Sequence, residues 1–117
     1  MQIEERLVND VGILQLAGRL TVNDQPGLLK QAVASLVQNG VRHVIVDLSH
    51  VRYVDSTRLG ELIAAYVLLS RHGGRFALAG TPPRVRALLD VSSLTHVFER
   101  FDTVEAAEAS LTTSAPV

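Results

Sequence analysis

The sequence contains no cysteine and no tryptophan, and only 4% of its 117 residues are aromatic. Without cysteine there is no disulfide framework, no thiolate nucleophile and no zinc site built on sulfur. With so few rings, the core has to be aliphatic. An excess of one charge is missing too: the formal net charge is −1, and the basic residues are scattered, so neither a nucleic-acid surface nor an anionic membrane is implied. No apolar run approaches the ~20 residues of a membrane span, which excludes direct membrane insertion by a helix. Met1-Gln2-Ile3-Glu4-Glu5-Arg6 lacks the basic start and apolar centre of a secretion signal, so a cytoplasmic protein is expected. No Gly-x-x-x-x-Gly-Lys loop occurs, and His43, His50, His72 and His96 share no helical i, i+4 spacing. Neither a metal site nor a phosphate-cradling cofactor loop is therefore read here.

What the sequence does have is one dense stretch. Val44-Ile45-Val46-Asp47-Leu48 reads as a strand buried on both faces, and it runs through Val51-Arg52-Tyr53-Val54 into Asp55-Ser56-Thr57. Leu59, Leu62, Ile63, Tyr66 and Val67 then follow the i, i+3, i+4 pattern of an amphipathic helix. A serine is thereby placed at the positive end of a helix dipole, where backbone N–H groups lack partners and an anion is well tolerated. One of Asp55, Ser56 and Thr57 is needed as the N-cap. Arg58 opposes the macrodipole and calls for a compensating anion, either Asp55, Glu61 or an added phosphate. With Leu59, Leu62, Ile63, Tyr66 and Val67 facing the sheet, the outer side of the helix holds Gly60, Ala64, Ala65 and Leu68, a small surface that lets another protein approach closely. Catalysis by Ser56 is disfavoured, because the turn lacks the flanking glycines of a Gly-x-Ser-x-Gly elbow and no histidine is evidently placed as base.

Elsewhere, Ile3 to Val8 and Val11 to Ala17 flank Asn9-Asp10 as a hairpin. Asn23 or Asp24 is the expected cap of a first helix with Pro26 in its first turn, an apolar face of Leu29, Ala32, Val33, Leu36 and Val37, and a stop at Asn39-Gly40. A strand from Arg42 to Leu48 precedes a loop holding His50. The central helix, from about Ser56 to His72, stops at Gly73-Gly74. Arg75 to Ala79 is a strand, and Thr81-Pro82-Pro83 caps and starts a helix carrying Val85, Leu88 and Leu89. Val97-Phe98 is a short strand, and Asp102-Thr103-Val104-Glu105 is a capping box ahead of Ala106 to Leu111. The architecture expected is α/β: one domain over residues 1–111, a mixed sheet of four to five strands beginning with an antiparallel pair, and about four helices, with 112–117 a flexible tail.

The set Ile45-Val46-Asp47-Leu48, Val51-Tyr53-Val54 and Asp55-Ser56-Thr57-x-Leu59-Gly60 resembles the signature of STAS domains, the bacterial anti-sigma factor antagonists. Gly18-Arg19-Leu20, Ala77-Leu78-Ala79-Gly80, Pro83-x-Val85-x-x-Leu88-Leu89 and Leu94-x-x-Val97-Phe98 extend the resemblance over nearly the whole chain. The resemblance implies a non-enzymatic partner switch in transcription regulation. Ser56 takes the position phosphorylated by an anti-sigma factor that is itself a serine kinase, and a phosphatase resets it. The surface meeting the kinase is expected to comprise Thr21, Asn23, Asp24, Asp55, Ser56, Thr57, Arg58, Gly60, Glu61, Ala64 and Leu68. Arg58 stands where the family usually has glycine, and Thr21 where an acidic residue is usual. A different use of the same helix, as the interaction subunit of a transporter or a stressosome-like complex without phosphorylation, is the alternative.

Overall fold

The computed structural model describes residues 2–20, 27–92 and 97–112. β1 (Gln2–Val8) and β2 (Val11–Leu20) form the expected antiparallel hairpin, with Asn9 in the turn at a left-handed φ of 56°. α1 (Leu28–Gln38) follows, then β3 (His43–Val54), α2 (Ser56–Arg71), β4 (Phe76–Ala79), α3 (Pro83–Val91), β5 (Glu99–Phe101) and α4 (Val104–Thr112). The five strands lie in sequence order in one sheet, and every pairing after the hairpin is parallel.

Burial explains the layering. On one face of the sheet Leu14, Leu16, Val44, Val46 and Leu78 meet Leu29, Val33 and Leu36 of α1, Leu62, Ala65 and Leu69 of α2, and Val85 and Leu89 of α3. On the other face Val11, Ile13, Ile45, Ala77 and Ala79 lie under Val104, Ala107 and Leu111 of α4. Val44, Ile45 and Val46 are all fully buried although they alternate between faces, as the uninterrupted β-branched run requires. Three of the five aromatic residues gather at one point, Tyr66 standing edge-on to Phe98 at 5.7 Å and to Phe76 at 6.3 Å.

α1 and α2 end in the same way. Gly40 N–H bonds to Val37 O and Val41 N–H to Leu36 O, while Gly73 N–H bonds to Ser70 O and Gly74 N–H to Leu69 O. This double bond pattern needs a left-handed residue just past the helix, supplied by Gly40 at φ 85° and Gly73 at φ 76°. Gly74 has a separate constraint: a Cβ there would lie 2.0 Å from the Arg42 carbonyl oxygen.

Several boundaries differ from expectation. His50 lies in β3 and not in a loop, because two register shifts between β2 and β3 absorb the extra residues and keep the strands paired to Leu20 and Val54. The cap of α1 is Gly27; Asn23, Asp24 and Pro26 lie outside the described residues. Pro82 and not Thr81 is the N-cap of α3. The last strand is Glu99–Phe101, two residues beyond Val97-Phe98, and Phe98 packs into the core. Thr103 and not Asp102 caps α4, its Oγ1 accepting from Ala106 N–H at 3.1 Å, and that helix takes in Thr112, which the sequence reading placed in the tail. Residues 113–117, like Leu94 and His96, are outside the described residues.

The start of β4 is tied down by charge. Arg75 donates from Nε to Glu99 Oε2 at 2.9 Å and from Nη2 to Glu99 Oε1 at 2.5 Å, and reaches Ser110 of α4. Hydrogen bonding from Arg75 holds the Glu99 carboxyl below its usual range. Beside it, His43 Nδ1 accepts the Arg75 backbone N–H at 2.9 Å, which requires an unprotonated Nδ1. Burial, then the neighbouring Arg42 and Arg75 charges, push the His43 ring below its ordinary value of 6.5. The unfolded chain therefore binds a proton that the folded chain refuses, so this contribution to stability is complete above pH ~6.5 and is lost as pH falls towards the depressed value. In a proton NMR titration the His43 resonance, assigned by its loss in His43→Gln, is expected to titrate below 6.5; titration at or above that value would contradict the account.

Candidate functional site

β3 overshoots the rest of the sheet. It pairs with β4 only from Val44 to Asp47, whereas its ladder with β2 continues to Val54. Leu48, Val51 and Val54 are buried along this extension, and Arg19 lies over the Tyr53 ring at 5.3 Å. Ser56 sits where this ribbon turns into α2.

Of the three capping candidates, Asp55 is the cap. Its backbone is extended, Oδ1 accepts from Arg58 N–H at 2.8 Å, and its carbonyl accepts from Leu59 N–H at 3.0 Å. Ser56 and Thr57, the first two helical residues, are both exposed. Their hydroxyls are thus spared the capping role and stand at the positive helix end.

Arg58 is not part of that surface. It is 4% exposed, and its guanidinium donates to the Glu61 carboxylate one turn on. Glu61 Oε1 also accepts from the Gly27 backbone N–H at 2.9 Å, so one carboxylate joins the first turn of α2 to the start of α1. Glu61 is therefore a compensating anion for Arg58. Both residues belong to a brace between helices, because the aliphatic stem of Arg58 continues the buried side of α2 with Leu62 and Leu69.

The outward stripe of α2 consists of Ser56, Gly60, Ala64 and Val67, spaced at helical periodicity. Two expectations are corrected here. Ala65, placed outside, is fully buried; Val67, placed against the sheet, is 37% exposed. A run with apolar residues on most of its circumference does not define its inner face, and the inward turn of Arg58 rotates it towards Ala65 and Leu69. Leu68 lies at the border and packs against the core cluster. A Cβ added at Gly60 would meet nothing within 4 Å among the described residues. Thr21, Asn23 and Asp24 lie outside the described residues. Tyr53, 38% exposed beside the turn, is not among the expected surface residues; it follows the register shift between Gly18 and Arg19 of β2.

Among the described residues there is no cluster of three or more metal-ligating side chains, and no helix long and apolar enough to cross a membrane. His43 and His72 are engaged elsewhere, with Arg75 N–H and Leu68 O, and His50 contacts Gln15 and Ser49.

A family model described as the STAS domain matches residues 2–107 of the chain. A protein of Paenibacillus polymyxa named anti-sigma F factor antagonist is 28% identical over 102 residues, 87% of each chain. Among solved structures, an anti-sigma factor antagonist from Mycobacterium paratuberculosis aligns with a TM-score of 0.82 at 22% identity, covering 95% of this chain and 93% of its own. The Bacillus cell fate determinant SpoIIAA in its phosphorylated form aligns with a TM-score of 0.67 at 19% identity, covering 92% and 98%. These structural likenesses establish the fold.

The brace is open to test by denaturation. Glu61→Ala removes both the carboxylate beside a buried guanidinium and the acceptor of the Gly27 N–H, and should lower stability by on the order of 2 kcal/mol in urea unfolding. A change within about 0.5 kcal/mol, as for an ordinary surface substitution, would show that the pair does not hold the helices together.

Proposed function

The chain belongs to the STAS domain family, and from that premise we propose that it is a cytoplasmic, non-enzymatic anti-sigma factor antagonist switched off by phosphorylation of Ser56. The observation that carries the reading is the division of labour at the head of α2: Asp55 caps the helix, and Ser56 is left exposed at its first position. The similarity to the Paenibacillus polymyxa protein named anti-sigma F factor antagonist supports the same reading.

In this scheme the unmodified protein docks an anti-sigma factor along Ser56, Thr57, Gly60, Ala64 and Val67, with Tyr53 and Leu68 at the margins and Thr21, Asn23 and Asp24 contributing from the segment before α1. That partner releases its sigma factor. The partner is a serine kinase: Ser56 Oγ attacks the γ-phosphorus of ATP, ADP leaves, and the hydroxyl proton passes to a base on the kinase. The product carries about −1.5 to −2 charges in the middle of a close interface, where like charge and desolvation oppose docking. The domain itself accommodates the dianion, because it lies at the positive end of α2. Hydrolysis by a phosphatase restores the hydroxyl and releases inorganic phosphate.

Gly60 shows why the surface is kept bare. Glycine inside a helix costs about 0.8–1 kcal/mol relative to alanine, yet nothing among the described residues requires it. Close approach by the partner supplies a reason.

Affinity capture from the organism's own extract, with Ser56→Ala as bait, should recover a sigma-factor-binding serine kinase, and Ser56→Asp should hold that kinase on the order of 100-fold more weakly. Equal binding by the two baits would contradict a switch at Ser56. Gly60→Ala should raise stability by up to about 1 kcal/mol while weakening capture of the same kinase; unchanged capture would remove α2 from the interface.

A further inference from the structure

A second site lies apart from Ser56, at the carboxyl ends of β4 and β5. A cleft of about 280 Å³ there is lined by Thr81, Arg86, Arg100, Phe101 and Asp102. Two of its polar atoms are buried without a hydrogen-bond partner among the described residues, the Thr81 hydroxyl and Arg100 Nη1. Thr81 is only 8% exposed, and it does not serve as the cap of α3. A buried hydroxyl and a buried guanidinium N–H left unpaired are uncommon and unfavourable, and two in one cleft ask for a common partner.

The partner's chemistry follows from the donors. Arg100 offers N–H donors in the fork geometry that matches tetrahedral and carboxylate oxyanions, and Arg86 adds a second guanidinium at the rim. α3 begins with Pro82 as N-cap, which has no side-chain acceptor, so its first-turn N–H groups have no side-chain cap and add positive potential. Among the described residues, two guanidiniums against the single carboxylate of Asp102 leave the lining net positive. Asp102 then selects among anions: beside an oxyanion, a carboxylate is repulsive unless the ligand brings a proton for it to accept. Inorganic phosphate keeps such a proton throughout the neutral range, a phosphate monoester does so only as its monoanion, below its second pKa of about 6, and sulfate does not. The volume lies just below the range of small-molecule pockets, which suits inorganic phosphate or a small phosphate monoester better than a large ligand.

We propose that the cleft formed by Thr81, Arg86, Arg100 and Asp102 is a binding site for phosphate, free or as a small monoester. The assignment does not rest on the role of Ser56, which is not among the described residues lining the cleft.

The test is titration of the isotopically labelled full chain with sodium phosphate, and separately with sodium sulfate at matched ionic strength, followed by amide and arginine Nε–H NMR. Phosphate is expected to give saturable shifts confined to Thr81, Arg86, Arg100, Phe101 and Asp102, with sulfate at least ten times weaker. Arg86→Gln, at an exposed position that leaves the fold intact, should weaken phosphate binding by about tenfold or more. Thr81→Val should weaken it as well while leaving the melting temperature in phosphate-free buffer unchanged or raised, since it removes an unpaired buried hydroxyl. Absence of saturable shifts in the cleft, an equal response to sulfate, or phosphate binding unaltered in Arg86→Gln would each overturn the proposal. Ammonium glucose 6-phosphate and inorganic phosphate, titrated in parallel, distinguish a monoester site from one closed around the free ion.

Discussion

The structure depends on β3 being covered on both faces over its first half. Val44, Ile45 and Val46 have no solvent side, so α1, α2 and α3 must pack on one face of the sheet and α4 on the other. That burial fixes the register of the central strand, since a slip of one residue would exchange the two sets of contacts. With the register fixed, the second half of β3 has only β2 as a neighbour, and its end at Val54 is carried past the sheet. The strand delivers Asp55 to the start of α2, and the cap then decides which hydroxyls face outward.

Charge is used sparingly and locally in this fold. Arg58 and Glu61 turn what would be an unfavourable cation at a helix start into a strut between the starts of α1 and α2. Arg75 and Glu99 do the equivalent at the other end of the parallel strands, joining β4, β5 and α4. In both places a carboxylate connects elements far apart in sequence, and in both the arginine is occupied within the domain. The cleft beside Arg100 contrasts with these, because its guanidinium includes a buried donor with no protein acceptor among the described residues.

Much of this was legible in the sequence. The hairpin at Asn9-Asp10, the doubly buried strand, the glycine stops at Gly40 and Gly73, and the strand–turn–helix around Ser56 each carried a local chemical signal that the packing did not override. What was misread has one physical source. Positions decided by pairing between distant segments, not by local pattern, gave no signal of their own. The register shifts that keep His50 in β3 depend on β2, and the setting of α2 that buries Ala65 and exposes Val67 depends on its packing against distant segments, among them the Gly27 N–H that Glu61 accepts. The order of the caps at Asp102 and Thr103 failed for a related reason: both residues can cap, and where the helix docks selects Thr103 although Asp is the stronger N-cap.

The central claim is that Ser56, spared from capping by Asp55, is a phosphorylation switch. Its most direct test is the intact mass of the protein isolated from its own cells with phosphatases inhibited, beside Ser56→Ala prepared identically. The account predicts a fraction heavier by one phosphoryl group in the native sequence and none in the alanine form. An unmodified mass in both, under growth and stress alike, would contradict it.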